Sequence, residues 1–334
     1  MSRSRLLAKL GLPVLAGAIA LLAGELLLRA RGYVYTPLRI KVVNQYSEWR
    51  YYHSFEDHHF VYDHHLLWRP RKGVPPFNSQ GYRGSEIPRP RKPGSTLIFA
   101  IGDSNTLGFH GEMDANWPQY LEAILREKVR GVQVVNAGVS GYSSFQGLRR
   151  FQEALSFQPD MVLISFGAND PMRVTVPDAE FAARRIRTLS LDQLLMSMRA
   201  GQLLLAVVDR LAPGDRKQPV PRVSLREYRS NLAGIITTAR ANNIQVVLLT
   251  RPFRGESPDK LWWKNFAPEY NAATMEVGRE HGVPSIDIYS FFRGKEEAFV
   301  DESHCAEDGY RAMAREIAGR IAPLLERKQV AGRW

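Results

Sequence analysis

Cysteine is nearly absent. Cys305 stands alone in 334 residues, so no intrachain disulfide can form and cysteine usage carries no signal of compartment. Acidic residues are in deficit, 34 against 45 Lys and Arg, for a net charge of +11. Most of that excess lies in residues 1–93, with 15 basic residues against 6 acidic. Recognised nucleic-acid-binding motifs are lacking too, so no nucleic-acid partner is expected. The basic stretch then faces anionic lipid or an acidic polymer, or is simply solvated. There are no repeats and no low-complexity runs, which excludes solenoid architectures. A hydrophobic share of 44% and a charged share of 24% belong to an ordinary globular chain, long enough for one large α/β domain with additions.

One long apolar run stands near the N-terminus. Residues 10–28 carry a single charge, Glu25, between Arg3, Arg5 and Lys9 on one side and Arg29 and Arg31 on the other. As a helix, such a run covers roughly 28 Å, about one hydrocarbon thickness. Ala16-Gly17-Ala18 resembles a signal-peptidase site, but the run continues past it, which favours an uncleaved anchor over residues 1–31. The expectation is a single-pass membrane protein with its N-terminus inside and its main domain on the extracytoplasmic side.

Residues 32–94 are basic and rich in aromatics, with Trp49, Phe60, Tyr62, Trp68, Phe77 and Tyr82 among them. That density argues against a disordered linker and for an arm packed on the following domain. His58-His59 and His64-His65 invite a metal reading. Adjacent histidines on an extended segment point to opposite faces, so a polar surface is favoured and no metal is assigned.

From residue 95 the chain alternates. Strands are expected at 97–101, 132–136, 161–166, 245–250 and 285–288, and helices at 117–128, 147–156, 225–241, 267–281 and 307–325. The pattern predicts a parallel sheet of about five strands with helices on both faces, an α/β/α sandwich over 95–334. Residues 171–221 break the alternation. Their apolar stretch at 191–211 reads as a helical insertion, acting as a lid, as added core or as a membrane-surface contact.

Four stretches carry the chemistry: Gly102-Asp103-Ser104 directly after the strand at 97–101, Asn136 to Gly141, Gly167-Ala168-Asn169-Asp170, and Asp301-Glu302-Ser303-His304. Gly102 offers a position free of Cβ for a sharp exit from the strand. Taken alone, Asp103-Ser104 also fits a helix cap. In this order the four blocks resemble the SGNH hydrolases, the GDSL-type esterases and lipases, over about residues 95–325. The lead-in at 62–69 and 78–84 looks like that of membrane-anchored bacterial members.

The resemblance implies a flavodoxin-like fold and a serine esterase. Ser104 is the implied nucleophile, His304 its base and Asp301 the group that orients the imidazole. The Ser104 and Gly141 N–H groups and the Asn169 amide are the implied oxyanion donors. No organic cofactor or metal is implied. The substrate is then a carboxylic ester, an O-acetyl group on an envelope glycan or a lipid ester being the candidates. An O-acyltransferase using the same triad and a catalytically silent scaffold of a membrane complex are the alternatives.

Overall fold

A computed structural model describes residues 3–35, 41–43, 48–50, 59–108, 116–187, 189–211, 219–254 and 267–330. The chain starts with a long helix, α1 (Arg3–Ala30). Its segment Pro13–Ala30 is long and apolar enough to cross a membrane, and none of it is buried within the protein. The arm follows as short strands, β1 (Lys41–Val43), β2 (Glu48–Arg50), β3 (Phe60–Asp63) and β4 (Leu67–Pro70).

The next strand, β5 (Thr96–Gly102), is buried at all seven positions, as an uninterrupted apolar run requires. It leads into the short α2 (Ser104–Leu107), then α3 (Trp117–Arg126), β6 (Val132–Asn136), α4 (Ser144–Ala154) and β7 (Met161–Ser165). The insertion comprises β8 (Arg173–Val174), α5 (Asp178–Arg187), α6 (Leu189–Ser197), α7 (Arg199–Leu211) and β9 (Val220–Pro221). The alternation then resumes with α8 (Leu225–Ala241), β10 (Gln245–Leu249), α9 (Ala267–Glu280), β11 (Ser285–Ile286), α10 (Ile288–Phe291) and α11 (Glu307–Val330).

Five strands form one sheet in the order β11-β10-β7-β5-β6, every pair parallel. Numbered along the chain this is 2-1-3-4-5, the flavodoxin-like winding. Successive residues of β5 feed opposite cores. Leu97, Phe99 and Ile101 pack with Trp68, Tyr82, Phe151 and Tyr228 on one face. Ile98 and Ala100 pack with Trp117, Leu121, Met313 and Ile317 on the other. Phe60, Trp68, Phe77 and Tyr82 of the arm are therefore part of the main core.

Local chemistry sets the helix starts. Ser224 and Glu227 form a reciprocal capping box at the head of α8. At the head of α4 the Ser143 N–H donates to the Gln146 side chain at 3.0 Å, which starts the helix three residues earlier than the apolar pattern suggests. The expected apolar helix at 191–211 is instead a hairpin of α6 and α7, broken between Ser197 and Arg199. The stem of the insertion, β8 and β9, joins β1 and β2 in a second, antiparallel sheet, so the arm and the insertion are stitched together.

Candidate active site

Strand β5 ends at Gly102, where a Cβ would meet Thr106 Oγ1 at 2.1 Å and the Ser165 carbonyl at 2.8 Å. Only glycine permits that tight exit. Asp103 caps α2, its carboxylate accepting from the Asn105 N–H at 2.9 Å. The cap and the candidate nucleophile thus belong to successive residues. Ser104 stands at the first position of α2, at the carboxyl end of the central strand, where open α/β sheets place their ligands.

The loop before α11 returns 200 residues later to meet it. Ser104 Oγ lies 2.7 Å from His304 Nε2. His304 Nδ1 faces both oxygens of Asp301, at 2.9 and 2.7 Å. With the proton on Nδ1, the imidazole donates to Asp301 and leaves Nε2 to accept from the serine hydroxyl. Asp301 also accepts the N–H groups of Ser303 and His304, each at 2.8 Å. Burial would raise its pKa, but the bond and charge of His304, with these two N–H groups, hold it well below the ordinary carboxylate range.

The Gly141 segment follows β6. Gly141 has φ +75°, a left-handed conformation natural to glycine. Three consecutive carbonyls around it are each pinned by a different donor. Ser140 O accepts from Trp68 Nε1 at 3.0 Å, Gly141 O from Arg222 Nη1 at 2.8 Å, and Tyr142 O from Asn169 Nδ2 at 2.9 Å. The Tyr142 hydroxyl returns a bond to the Trp68 carbonyl. Holding the carbonyls this way fixes the orientation of the peptide N–H groups between them. Among the described residues, neither the Ser104 nor the Gly141 N–H has an intramolecular hydrogen-bond acceptor.

Sequence reasoning overlooked several of these partners. In the sequence Asp103 fits a helix cap. Asp103 also receives the Arg251 guanidinium, whose Nε stands 2.9 and 3.1 Å from its two oxygens. Arg251 Nη1 further donates to the Ser303 carbonyl at 2.7 Å. Arg251 therefore ties the residue before Ser104 to the residue before His304. Asn105 makes a second tie, accepting from the Cys305 N–H at 3.1 Å. Arg222, fully buried, is paired with Asp178. The available signal for Arg251 was its position: an arginine two residues after the apolar strand β10, on the rim that carries the strand ends.

Asp170 stands beside the site without entering it. Its carboxylate accepts from the Ser144 N–H at 2.8 Å and the Gly167 N–H at 3.2 Å, and burial pushes its pKa up to about 6. Cys305 is buried, and burial pushes its thiol up to about 12. Among the described residues no group of three or more His, Cys, Asp or Glu could hold a metal ion. Of the histidines that invite a metal reading, His58 lies outside the described residues.

Comparison with known proteins adds the following. An arylesterase of Vibrio mimicus is 36% identical over 80 residues, covering 24% of this chain and 40% of that protein. Thioesterase 1/protease 1/lysophospholipase L1 of Escherichia coli K12 is 34% identical over 116 residues, 33% of this chain and 54% of that protein. An acetylxylan esterase of Xylanibacter ruminicola is 26% identical over 250 residues, 70% of this chain and 45% of that protein. The chain thus spans about half the length of the curated relatives it matches. The model of the GDSL-like lipase/acylhydrolase family matches residues 100–312, well over half of the sequence, from within β5 to the second turn of α11, and the chain belongs to that family.

Proposed function

We propose that this protein is a serine esterase, tethered to the membrane by α1, with its sheet domain on the extracytoplasmic side. The observation that carries the reading is the 2.7 Å contact between Ser104 Oγ and His304 Nε2, backed by Asp301 on the far ring nitrogen. A serine hydroxyl is a weak nucleophile until a base takes its proton. His304 accepts that proton as Oγ attacks the ester carbonyl, and Asp301 stabilises the imidazolium that forms. The carbonyl oxygen gains negative charge in that step. The N–H groups of Ser104 and Gly141 and the Asn169 amide are its donors. His304 then protonates the leaving alcohol, and an acyl group remains on Ser104. Water, deprotonated by the same imidazole, releases the acid.

The substrate is a carboxylic ester at the cell envelope, an O-acetylated glycan or a lipid ester. Relatives named for acetylxylan and for lysophospholipid support these two classes. Turnover of acetylated xylan against turnover of a lysophospholipid separates them. The mechanism itself is tested by Ser104→Ala with p-nitrophenyl acetate. Activity is expected to fall by at least about 10⁴ with the thermal transition unchanged. A variant that is folded and turns over near the native rate overturns the proposal.

A further inference from the structure

The helix α7 carries its aliphatic residues on the outside. Leu203, Leu204, Val207, Val208 and Leu211 are all exposed, between 42% and 76%. Their spacing, i, i+1, i+4, i+5 and i+8, places them in one stripe. Gln202 and Leu205, on the other side of the helix, are buried. This is the reverse of a helix that packs its apolar face onto a soluble core. The preceding helix repeats the feature, with Leu191 and Leu194 exposed at i and i+3, and Met198, in the turn between the two helices, is exposed as well. So large an apolar surface on one hairpin marks a contact with something apolar.

The position of the hairpin says what covers it. The first turn of α7 meets the last turns of α1, where Glu25 Oε2 accepts from the Ala200 N–H at 2.9 Å. Just beyond α1, the Tyr35 N–H donates to Gln202 Oε1 at 3.0 Å. Leu21, Leu22 and Leu26 of α1 are themselves exposed, and the apolar segment they belong to is unburied throughout. The two exposed aliphatic surfaces thus adjoin, and an environment that covers α1 reaches α7. Glu25, the charge that interrupts the apolar run, is used at this junction, with Arg29 on its other oxygen. At 13 residues α7 extends about 20 Å, too short to cross a hydrocarbon core but suited to lying along its surface.

We infer that the α6–α7 hairpin is a second membrane contact, lying in the bilayer interface beside α1 with its aliphatic stripe among the acyl chains. The inference rests on α1 being a membrane anchor and goes beyond it. The insertion is also tied to the Gly141 loop at its stem, because buried Asp178 accepts from Ser143 Oγ and pairs with Arg222, which holds the Gly141 carbonyl. Lipid contact would therefore fix the height of the candidate active site above the membrane.

The test uses the full chain reconstituted in vesicles of phosphatidylcholine and phosphatidylglycerol. An environment-sensitive nitrobenzoxadiazole is attached at Leu204→Cys or Val208→Cys. Leu15→Cys in α1 serves as the anchor control, and Arg320→Cys, exposed on α11, as the aqueous control. Native Cys305 is buried and its thiol stays protonated, so it remains unlabelled. The expected result is blue-shifted emission at positions 204 and 208, lost when doxyl-labelled phosphatidylcholine is included, as at position 15. Two results overturn the inference. One is emission at 204 and 208 that matches position 320 and is quenched by aqueous iodide. The other is emission that is blue-shifted but insensitive to doxyl lipid, which would mean that protein, such as a second copy of this chain, covers the stripe. Quenching at position 15 alone would retain the anchor and reject the hairpin contact. A probe at position 15 that is unaffected by doxyl lipid would reject the anchor itself.

Discussion

Replacing Arg251 with methionine separates holding the site together from holding the fold together. The guanidinium sits between Asp103 and Ser303, with the side chains of both Arg251 and Asp103 only 1% exposed. Arg251→Met keeps most of the volume and removes the charge. It leaves the Asp103 carboxylate buried with the Asn105 N–H as a partner, and deprives the Ser303 carbonyl of a donor. Removing one member of a buried ion pair costs about 3–5 kcal/mol, because the other charge stays buried and uncompensated. For a domain of this size that lowers the melting temperature by roughly 10 °C. The double variant Asp103→Asn/Arg251→Met removes both charges, and the asparagine can still accept from Asn105. It should recover much of the lost stability, since a neutral buried pair pays far less for desolvation. It should not recover catalysis. The tie between the loops of Ser104 and His304 stays broken, and a misplacement near 1 Å in such a geometry costs about 10² in rate. Circular dichroism melting and kcat/KM on p-nitrophenyl acetate read the two effects separately. Native stability and native kcat/KM in Arg251→Met would refute the reasoning, as would full activity in the double variant.

Three further outcomes follow from the site. Asp301→Asn should leave the fold intact, since that side chain is 42% exposed, and lower kcat/KM by about 10²–10⁴ through loss of imidazolium stabilisation; unchanged steady-state kinetics would count against the role of Asp301. Gly141→Ala forces a Cβ into a left-handed residue and should cost about 1–2 kcal/mol in a denaturant titration, with a fall of about 10² in kcat from a displaced N–H. Asp170 sets a pH dependence. Its folded pKa of about 6 lies above its ordinary value of 3.8, so the neutral form stabilises the fold fully below pH 3.8. That contribution, about 3 kcal/mol, is lost as pH rises through 6. Urea midpoints measured across this window should fall with pH in the native protein and flatten in Asp170→Asn; parallel profiles would remove Asp170 as the source.

The sheet was legible because its three middle strands, β5, β7 and β10, are built on apolar runs, and β5 ends in a residue with a special job. The run at 97–101 stops at Gly102, where no Cβ fits, and α8 announces itself through the Ser224 and Glu227 capping box. The contact of Ser104 with His304 was expected from the family's motifs and not from periodicity, which says nothing of a meeting across 200 residues. What stayed hidden depends on tertiary electrostatics. Arg251 and Arg222 are single basic residues in ordinary surroundings, and only the fold shows that each compensates a buried aspartate and pins a loop of the site. Trp68 reads as one aromatic among many in the arm, yet its indole N–H holds the carbonyl next to Gly141. The break between α6 and α7 was hidden for a different reason. The stretch is apolar on both sides of the turn, so neither composition nor period marks where one helix stops.

The central claim is that Ser104 is activated by His304. Intact-mass and peptide-mapping mass spectrometry after exposure to a fluorophosphonate tests it most directly. The prediction is a single covalent adduct on Ser104 in the folded protein, sharply reduced in His304→Ala. No adduct, an adduct on another residue, or labelling of Ser104 that does not depend on His304 would contradict it.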